Sequence, residues 1–229
     1  MRVDGIIFDK DGTLFEFRAT WEAWAARMLA QLAAGDTDLL ARLCTAIGFD
    51  MAGQAFHPDS PCIAGSNREV AQRICAVMDD DDIAGMELRL ILAADDVPLV
   101  EPLPLAGFLD ALLARGLRLG VVTNDAETGA INHLRQAGVL QPFDFIAGYD
   151  SGHGAKPEPG PLLACAAQLG LDPAHVVMVG DSTHDLVAGR RAGMRTVGVL
   201  TGVAGQGELA PHADVVLPHI GHLLEWLPA

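Results

Sequence analysis

The sequence predicts an α/β fold, a doubly wound parallel sheet carrying an inserted all-helical segment. Three observations carry this. From residue 98 onward, short β-branched apolar runs alternate with amphipathic stretches closed by glycine, the pattern of strands joined by helices. Residues 15–97 contain no clear strand and read as successive helices. Polar residues capable of chemistry stand directly after several of the apolar runs, where open parallel sheets bind their ligands.

Val3–Phe8, short and apolar, opens the sheet. Trp21–Ala30 is alanine-rich and amphipathic, and further helices are expected near Asp38–Ile47, Asn67–Val77 and Ile83–Ala94. Gly35-Asp36, the stretch Phe56–Pro61 and the acidic run Asp79–Asp82 separate them. Adjacent carboxylates such as Asp79–Asp82 read as a solvated helix start rather than a metal site. Pro98, Pro102 and Pro104 mark the return to the sheet. Then follow a helix over Leu105–Arg115, a strand over Arg118–Thr123, a helix over Glu127–Ala137 and a strand over Phe143–Ala147. A helix over Pro161–Leu169, a strand over Val176–Val179 and a helix over Asp185–Ala192 come next. Strands over Thr196–Val199 and Asp214–Leu217 and a terminal helix over Ile220–Leu227 complete the chain. Gly116, Gly138, Gly170 and Gly193 stand at or just beyond the helix ends, as C-terminal stops do. The expected domains are 1–14 with 98–229 for the sheet and 15–97 for the insertion.

With 229 residues, half of them hydrophobic, the chain can bury a full core. Cys44, Cys62, Cys75 and Cys165 are scattered without a CxxC pair, the usage of a reducing compartment. No targeting segment and no apolar run long enough to span a bilayer is evident, so a cytoplasmic location is expected. A formal charge of −15 repels nucleic acid and anionic membranes, and neither is an expected partner. An anionic substrate would need a local cation.

Asp9 and Asp11 close the first strand, followed at once by Gly12. Strand alternation is expected to turn both carboxylates to one side and Lys10 away from them. Carboxylates crowded at the end of an apolar strand call for a divalent cation, with a solvated Asp-Lys-Asp-Gly turn as the alternative. Thr123-Asn124-Asp125 follows the next strand; a hydroxyl and a backbone N–H there could hold phosphate oxygens, or merely cap the helix. Lys156 lies between the glycine-rich approach Gly152-His153-Gly154 and the stiff exit Pro157-Glu158-Pro159, a positioned cation. Asp181 and Asp185 follow a further buried strand.

Asp9-Lys10-Asp11-Gly12-Thr13-Leu14, Thr123-Asn124, Lys156-Pro157 and Gly180-Asp181-Ser182-Thr183-His184-Asp185 together resemble the ordered motifs of the haloacid dehalogenase-like (HAD) hydrolase superfamily. The insertion resembles that superfamily's C1 cap. Lys156–Pro159, Pro161-Leu162-Leu163 and Ala192-Gly193-Met194 resemble its phosphoglycolate phosphatase-like branch. The resemblance implies a Rossmannoid core in which Asp9 is the nucleophile, forming an aspartyl-phosphate. Asp11 would be the acid that protonates the leaving oxygen and then the base that activates water. Thr123 and the Asn124 amide would grip the phosphoryl oxygens, and Lys156 would stabilise charge on Asp9 and the phosphoryl group. Mg²⁺ would be held by the Asp9 carboxylate, the Asp11 backbone carbonyl and the Asp181 carboxylate, with Asp185 supporting Lys156 or a metal-bound water. Phe15-Glu16-Phe17 and Lys10 depart from the usual pattern; Lys10 is expected to have little chemical consequence.

The expected function is therefore hydrolysis of a small phosphate monoester, phosphoglycolate or a sugar phosphate, by a monomer or homodimer. Four carboxylates against one lysine would exclude a phosphate dianion unless a metal were present. A phosphomutase of the β-phosphoglucomutase kind shares every motif, and a non-catalytic binding or regulatory protein could keep the fold. Dehalogenation is disfavoured, because relatives that cleave carbon–halogen bonds lack the carboxylate at the place of Asp11. Arg18, Trp21, His57, Ser66, Asn67 and Arg68 are the residues of the insertion that could meet a leaving group, each with an ordinary structural role as the alternative.

Overall fold

β1 (Gly5–Phe8) is wholly buried and pairs in parallel on both sides. The computed structural model describes residues 2–94 and 97–228. Residue 1 of the expected core, residues 95 and 96 of the expected insertion, and residue 229 lie outside these. The chain divides into two compact units, Met1–Phe17 with Leu99–Ala229, and Arg18–Pro98. The divisions fall a few residues beyond those expected on the N-terminal side because the chain stays with the sheet after Leu14. Phe15 is buried in its core, Glu16 N–H donates to Val100 O at 2.8 Å, and Phe17 N–H to Thr201 O at 3.4 Å.

Arg18–Pro98 holds most of α1 (Phe17–Ala33), then α2 (Thr37–Ile47), β2 (Phe49–Asp50), β3 (Ala55–Phe56), α3 (Pro61–Ala64), α4 (Asn67–Met78) and α5 (Ile83–Ala94). The insertion is thus not all-helical. β2 and β3 form a small antiparallel hairpin, with the rings of Phe49 and Phe56 edge to face at 5.0 Å. Strands of two residues are too short to show alternation, so the sequence pattern missed them. Local capping explains the helices: Asp36 accepts from Asp38 and Leu39, Ser66 and Glu69 form a capping box, and Asp82 accepts from Gly85 N–H at 2.8 Å. The acidic run therefore does begin a helix.

The sheet unit continues with α6 (Leu105–Ala114), β4 (Arg118–Val122), α7 (Glu127–Gln136), β5 (Phe145–Ala147), α8 (Gly160–Leu169), β6 (Val176–Gly180), α9 (Thr183–Arg191), β7 (Arg195–Val199), α10 (Gln206–Leu209), β8 (Val215–Leu217) and α11 (Leu223–Trp226). Among the described residues six strands form one parallel sheet in the order β5-β4-β1-β6-β7-β8. The expected last helix is split into a 3-10 turn over Ile220–His222 and α11, and α10 was not foreseen.

Alternation along the strands builds a core on each face. Ile6 and Phe8 join Leu119, Val121, Val177 and Val179 in one cluster with α6 and α11. Ile7 joins Val122 and Met178 in the other, against α8 and α9. Near-continuous apolar strands follow from this two-sided burial. The chain winds outward from β1 to β5, then returns across β1 to β6. The carboxyl ends of β4, β1 and β6 therefore lie side by side where the winding reverses, the place such sheets bind ligands.

Candidate active site

The loop after β1 abandons the strand at once. Asp9 N–H still donates to Val179 O at 2.9 Å, but the Lys10 carbonyl accepts from Thr13, Leu14 and Phe15 at 3.4, 2.9 and 3.1 Å. Gly12 takes a left-handed φ of 78°, which only glycine adopts freely, and its N–H donates to Phe15 O at 2.7 Å. Alternation therefore ends at Asp9, and the expectation that Lys10 points away from Asp11 fails. Lys10 Nζ lies 2.6 Å from Asp11 Oδ2, 3.2 Å from Asp125 Oδ2 and 3.0 Å from His133 Nδ1, wholly buried. Burial acts to lower its pKa, but Asp11 and Asp125 outweigh that and hold it above its ordinary value.

Lys156 is buried and held at three points. Its Nζ donates to Asp9 Oδ1 at 2.7 Å, Asp185 Oδ1 at 2.6 Å and Val122 O at 2.9 Å, using all three donors. Its backbone is clamped by the Asn124 side chain. Asn124 Nδ2 donates to Lys156 O, and Lys156 N–H donates to Asn124 Oδ1, both at 2.9 Å. Thr123 is buried, its N–H on Ala147 O at 3.0 Å and its Oγ1 accepting from Asp125 N–H at 3.1 Å.

After β6, Ser182 caps α9 in a capping box with Asp185. Asp185 Oδ2 accepts from Ser182 N–H at 3.0 Å and Ser182 Oγ at 2.7 Å, while Oδ1 takes Lys156. Both of its oxygens are thus engaged. Carboxylate oxygens of Asp9, Asp181 and Asp185, all buried, lie within 4.8 Å of one another. Burial, the repulsion of Asp185 and, more weakly, that of Asp11 raise the Asp9 pKa to about 7 against the pull of Lys156. Asp181 is pushed well above its ordinary range, by burial first and then by Asp185 and Asp9. Asp125 goes the other way: burial would raise it, but Lys10 leads the interactions that bring it below its ordinary value.

Two glycines wall in Asp181. A Cβ on Gly12 would lie 2.3 Å from Asp181 Oδ2, and one on Gly202 would lie 1.7 Å from the same oxygen. Thr201 Oγ1 donates to Gly12 O at 2.6 Å, tying the loop after β7 to the turn after β1. Thr201, Gly202 and His133 were missed by the sequence reading. They carry no motif-like spacing, and only the fold brings them to the site.

The structure thus gathers Asp9, Lys156, Asp181 and Asp185 into one buried cluster, with Asn124 clamping the Lys156 backbone. Asp11 is joined instead to Lys10, and its Oδ1 is buried without a hydrogen-bond partner. The candidates in Arg18–Pro98 have local roles. Arg18 pairs with Glu22 at 3.3 Å, Arg68 with Glu87 at 3.2 Å, Ser66 caps α4, and the rings of Trp21 and Trp24 meet edge to face at 5.2 Å. His57 lines an open cavity of about 810 Å³ beside Asp50, Asp59 and Cys44.

The family model for haloacid dehalogenase-like hydrolases matches residues 3–193. A pyrophosphatase, PpaX, from Bacillus pumilus is 35% identical over 117 residues, covering 51% of this chain and 54% of its own. The chain thus spans about half the length of the first curated relatives it matches. A phosphoglycolate phosphatase from Rhodospirillum rubrum is 31% identical over 235 residues, covering 97% of this chain and 90% of that one. The fold is also that of a β-phosphoglucomutase from Clostridium difficile, with a TM-score of 0.66 and 21% identity over 98% of this chain and 95% of that one.

Proposed function

The chain belongs to the haloacid dehalogenase-like hydrolases, and from that premise we propose that it is a Mg²⁺-dependent phosphatase of small phosphate monoesters, working through an aspartyl-phosphate on Asp9. The observation that carries this reading is Lys156 Nζ between Asp9 Oδ1 and Asp185 Oδ1, at 2.7 and 2.6 Å, beside the buried Asp181. Asp9 attacks phosphorus while Lys156 balances charge on the nucleophile and the transferring group. Thr123 and the Asn124 amide hold phosphoryl oxygens, and the Asn124 side chain keeps Lys156 in place. Asp11 gives a proton to the leaving oxygen, then takes one from the water that hydrolyses the acyl phosphate.

The donor set fits a magnesium ion. Asp185 spends both oxygens on Lys156 and Ser182. Asp9 and Asp181 remain as hard carboxylate ligands, the Asp11 carbonyl being the third protein donor. When bound, the ion neutralises charge on the carboxylates and the phosphoryl group. The Rhodospirillum rubrum phosphatase supports phosphate-ester hydrolysis and makes phosphoglycolate the first substrate to try, with sugar phosphates next, while PpaX, a pyrophosphatase, supports hydrolytic phosphoryl transfer more broadly. A negatively charged protein in which no helix among the described residues is long and apolar enough to cross a membrane suits such a metabolite enzyme, with neither nucleic acid nor membrane as partner and a cytoplasmic place of work. The test is a phosphate-ester panel with Mg²⁺, with products identified. Released orthophosphate supports the phosphatase, an isomeric phosphate identifies a phosphomutase, and no turnover of any ester leaves a non-catalytic protein.

Metal and pH are linked. Asp9 binds protons more tightly folded than unfolded, its pKa rising from 3.8 to about 7, and Asp181 is raised in the same sense. The contribution of Asp9 to stability is complete below about pH 4 and is lost as pH rises through 7, and Asp181 acts with the same sign. In EDTA, the melting temperature of the parent should fall between pH 5.5 and 8 by more than that of Asp181→Asn. Added Mg²⁺ should raise the parent's more at pH 8, since the ligands must be deprotonated. Equal falls in the two proteins would refute the linkage. Gly202→Ala should force Asp181 aside and raise the Mg²⁺ concentration for half-maximal stabilisation or activity by about tenfold or more. An unchanged Mg²⁺ titration would show that the glycine wall is not needed.

A further inference from the structure

The reaction just described gives no task to Lys10, Asp125 or His133, although Lys10 and His133 are fully buried and the Asp125 side chain is nearly so. An ion pair held from water is an expensive way to stabilise a fold, since apolar residues of similar volume often do as well or better. Lys10 Nζ donates to Asp11 Oδ2 at 2.6 Å, lies 3.0 Å from His133 Nδ1 and forms an ion pair with Asp125 Oδ2 at 3.2 Å. An ammonium only donates, so in this contact His133 Nδ1 stands to Lys10 as the acceptor.

The anchors are themselves fixed. Asp125 Oδ1 accepts from Ala126 N–H at 2.7 Å, and Asp125 N–H donates to Thr123 Oγ1 at 3.1 Å. His133 lies on α7, fully buried. Pinning one oxygen of Asp11 restricts the plane of its carboxylate. The other, Oδ1, is buried and has no hydrogen-bond partner, so it is the Asp11 oxygen whose hydrogen-bonding capacity is unspent.

We propose that Lys10, anchored on Asp125 and His133, is a positioning residue that pins Asp11 Oδ2 and thereby presents Oδ1 to the leaving oxygen of the substrate. This rests on the reading of Asp11 as the acid. A tether of this kind acts on proton transfer, while phosphoryl binding by Thr123 and Lys156 is untouched.

The test compares p-nitrophenyl phosphate with phenyl phosphate, two esters of similar shape. The first has the better leaving group and depends less on a proton from Asp11. With Lys10→Met, kcat/KM for phenyl phosphate should fall about tenfold more than for p-nitrophenyl phosphate, the scale at which a positioned acid acts. Lys10→Met strands the buried Asp125 carboxylate, so Lys10→Met/Asp125→Asn, which removes that charge as well, carries the same expectation if the single variant does not fold. Equal losses on both esters, or no loss, would overturn the tether and leave the cluster a structural one. Asp11→Asn is run alongside. If it too treats the esters alike, the acid assignment itself is wrong; if it discriminates and the Lys10 variants do not, only the tether falls.

Discussion

Asp9→Asn is expected to lower turnover by at least about 10⁴-fold, the scale of losing a covalent nucleophile, while leaving the protein folded. A neutral amide is too weak a nucleophile to attack phosphorus, so the acyl phosphate that water hydrolyses cannot form. The substitution is nearly isosteric, and an Asn Oδ1 still accepts from Lys156 at the place where Asp9 Oδ1 lies 2.7 Å away. It also removes one of the crowded carboxylates whose burial raises the Asp9 pKa to about 7. The variant should therefore melt at or above the parent temperature in EDTA at pH 8. Orthophosphate release and thermal melts, measured on the same preparations, check both halves. A variant with parental rates would remove the aspartyl-phosphate from the mechanism, whatever its stability.

Lys156→Met should be the most damaging single change to fold and rate together. Lys156 is 4% exposed; its ammonium is the cation shared by Asp9 and Asp185, and it also satisfies Val122 O. Removing one partner from a buried charge cluster leaves the others uncompensated, at a cost of about 3–5 kcal/mol. Rate should fall about 10²–10³-fold or more, because the same group balances charge as phosphoryl transfer proceeds. The stability loss should shrink at acid pH, where a proton can take the place of the ammonium on Asp9, whose pKa is raised to about 7. Asp181, raised in the same sense, is also more readily neutralised there. Denaturant melts at pH 5.5 and 8 measure this. A loss no smaller at pH 5.5 than at pH 8 would mean that the lysine stabilises by packing its stem rather than by its charge.

Much of this was legible in the residue order. Apolar runs of four to six residues, each closed by a carboxylate or hydroxyl, announce strands whose carboxyl ends do chemistry, because strand burial and the placement of loops are local in their causes. Asp9, Thr123 and Asp181 could be placed after their strands for that reason, and Lys156 singled out by its glycine- and proline-rich flanks. The small hairpin of Phe49–Asp50 with Ala55–Phe56 was not legible, since alternation needs more than two residues to show.

The sequence by itself determined the sheet-and-helix alternation and the set of polar residues at strand ends, because period and punctuation are properties of neighbouring residues. Tertiary structure alone decided which of those residues meet. Lys10 reaches His133 across 123 positions, Lys156 reaches Asp9 across 147, and Thr201 ties down Gly12 across 189. Such pairings depend on strand order and on a turn that cancels alternation one residue after the strand. They arise when the sheet closes, and no stretch of the chain contains them.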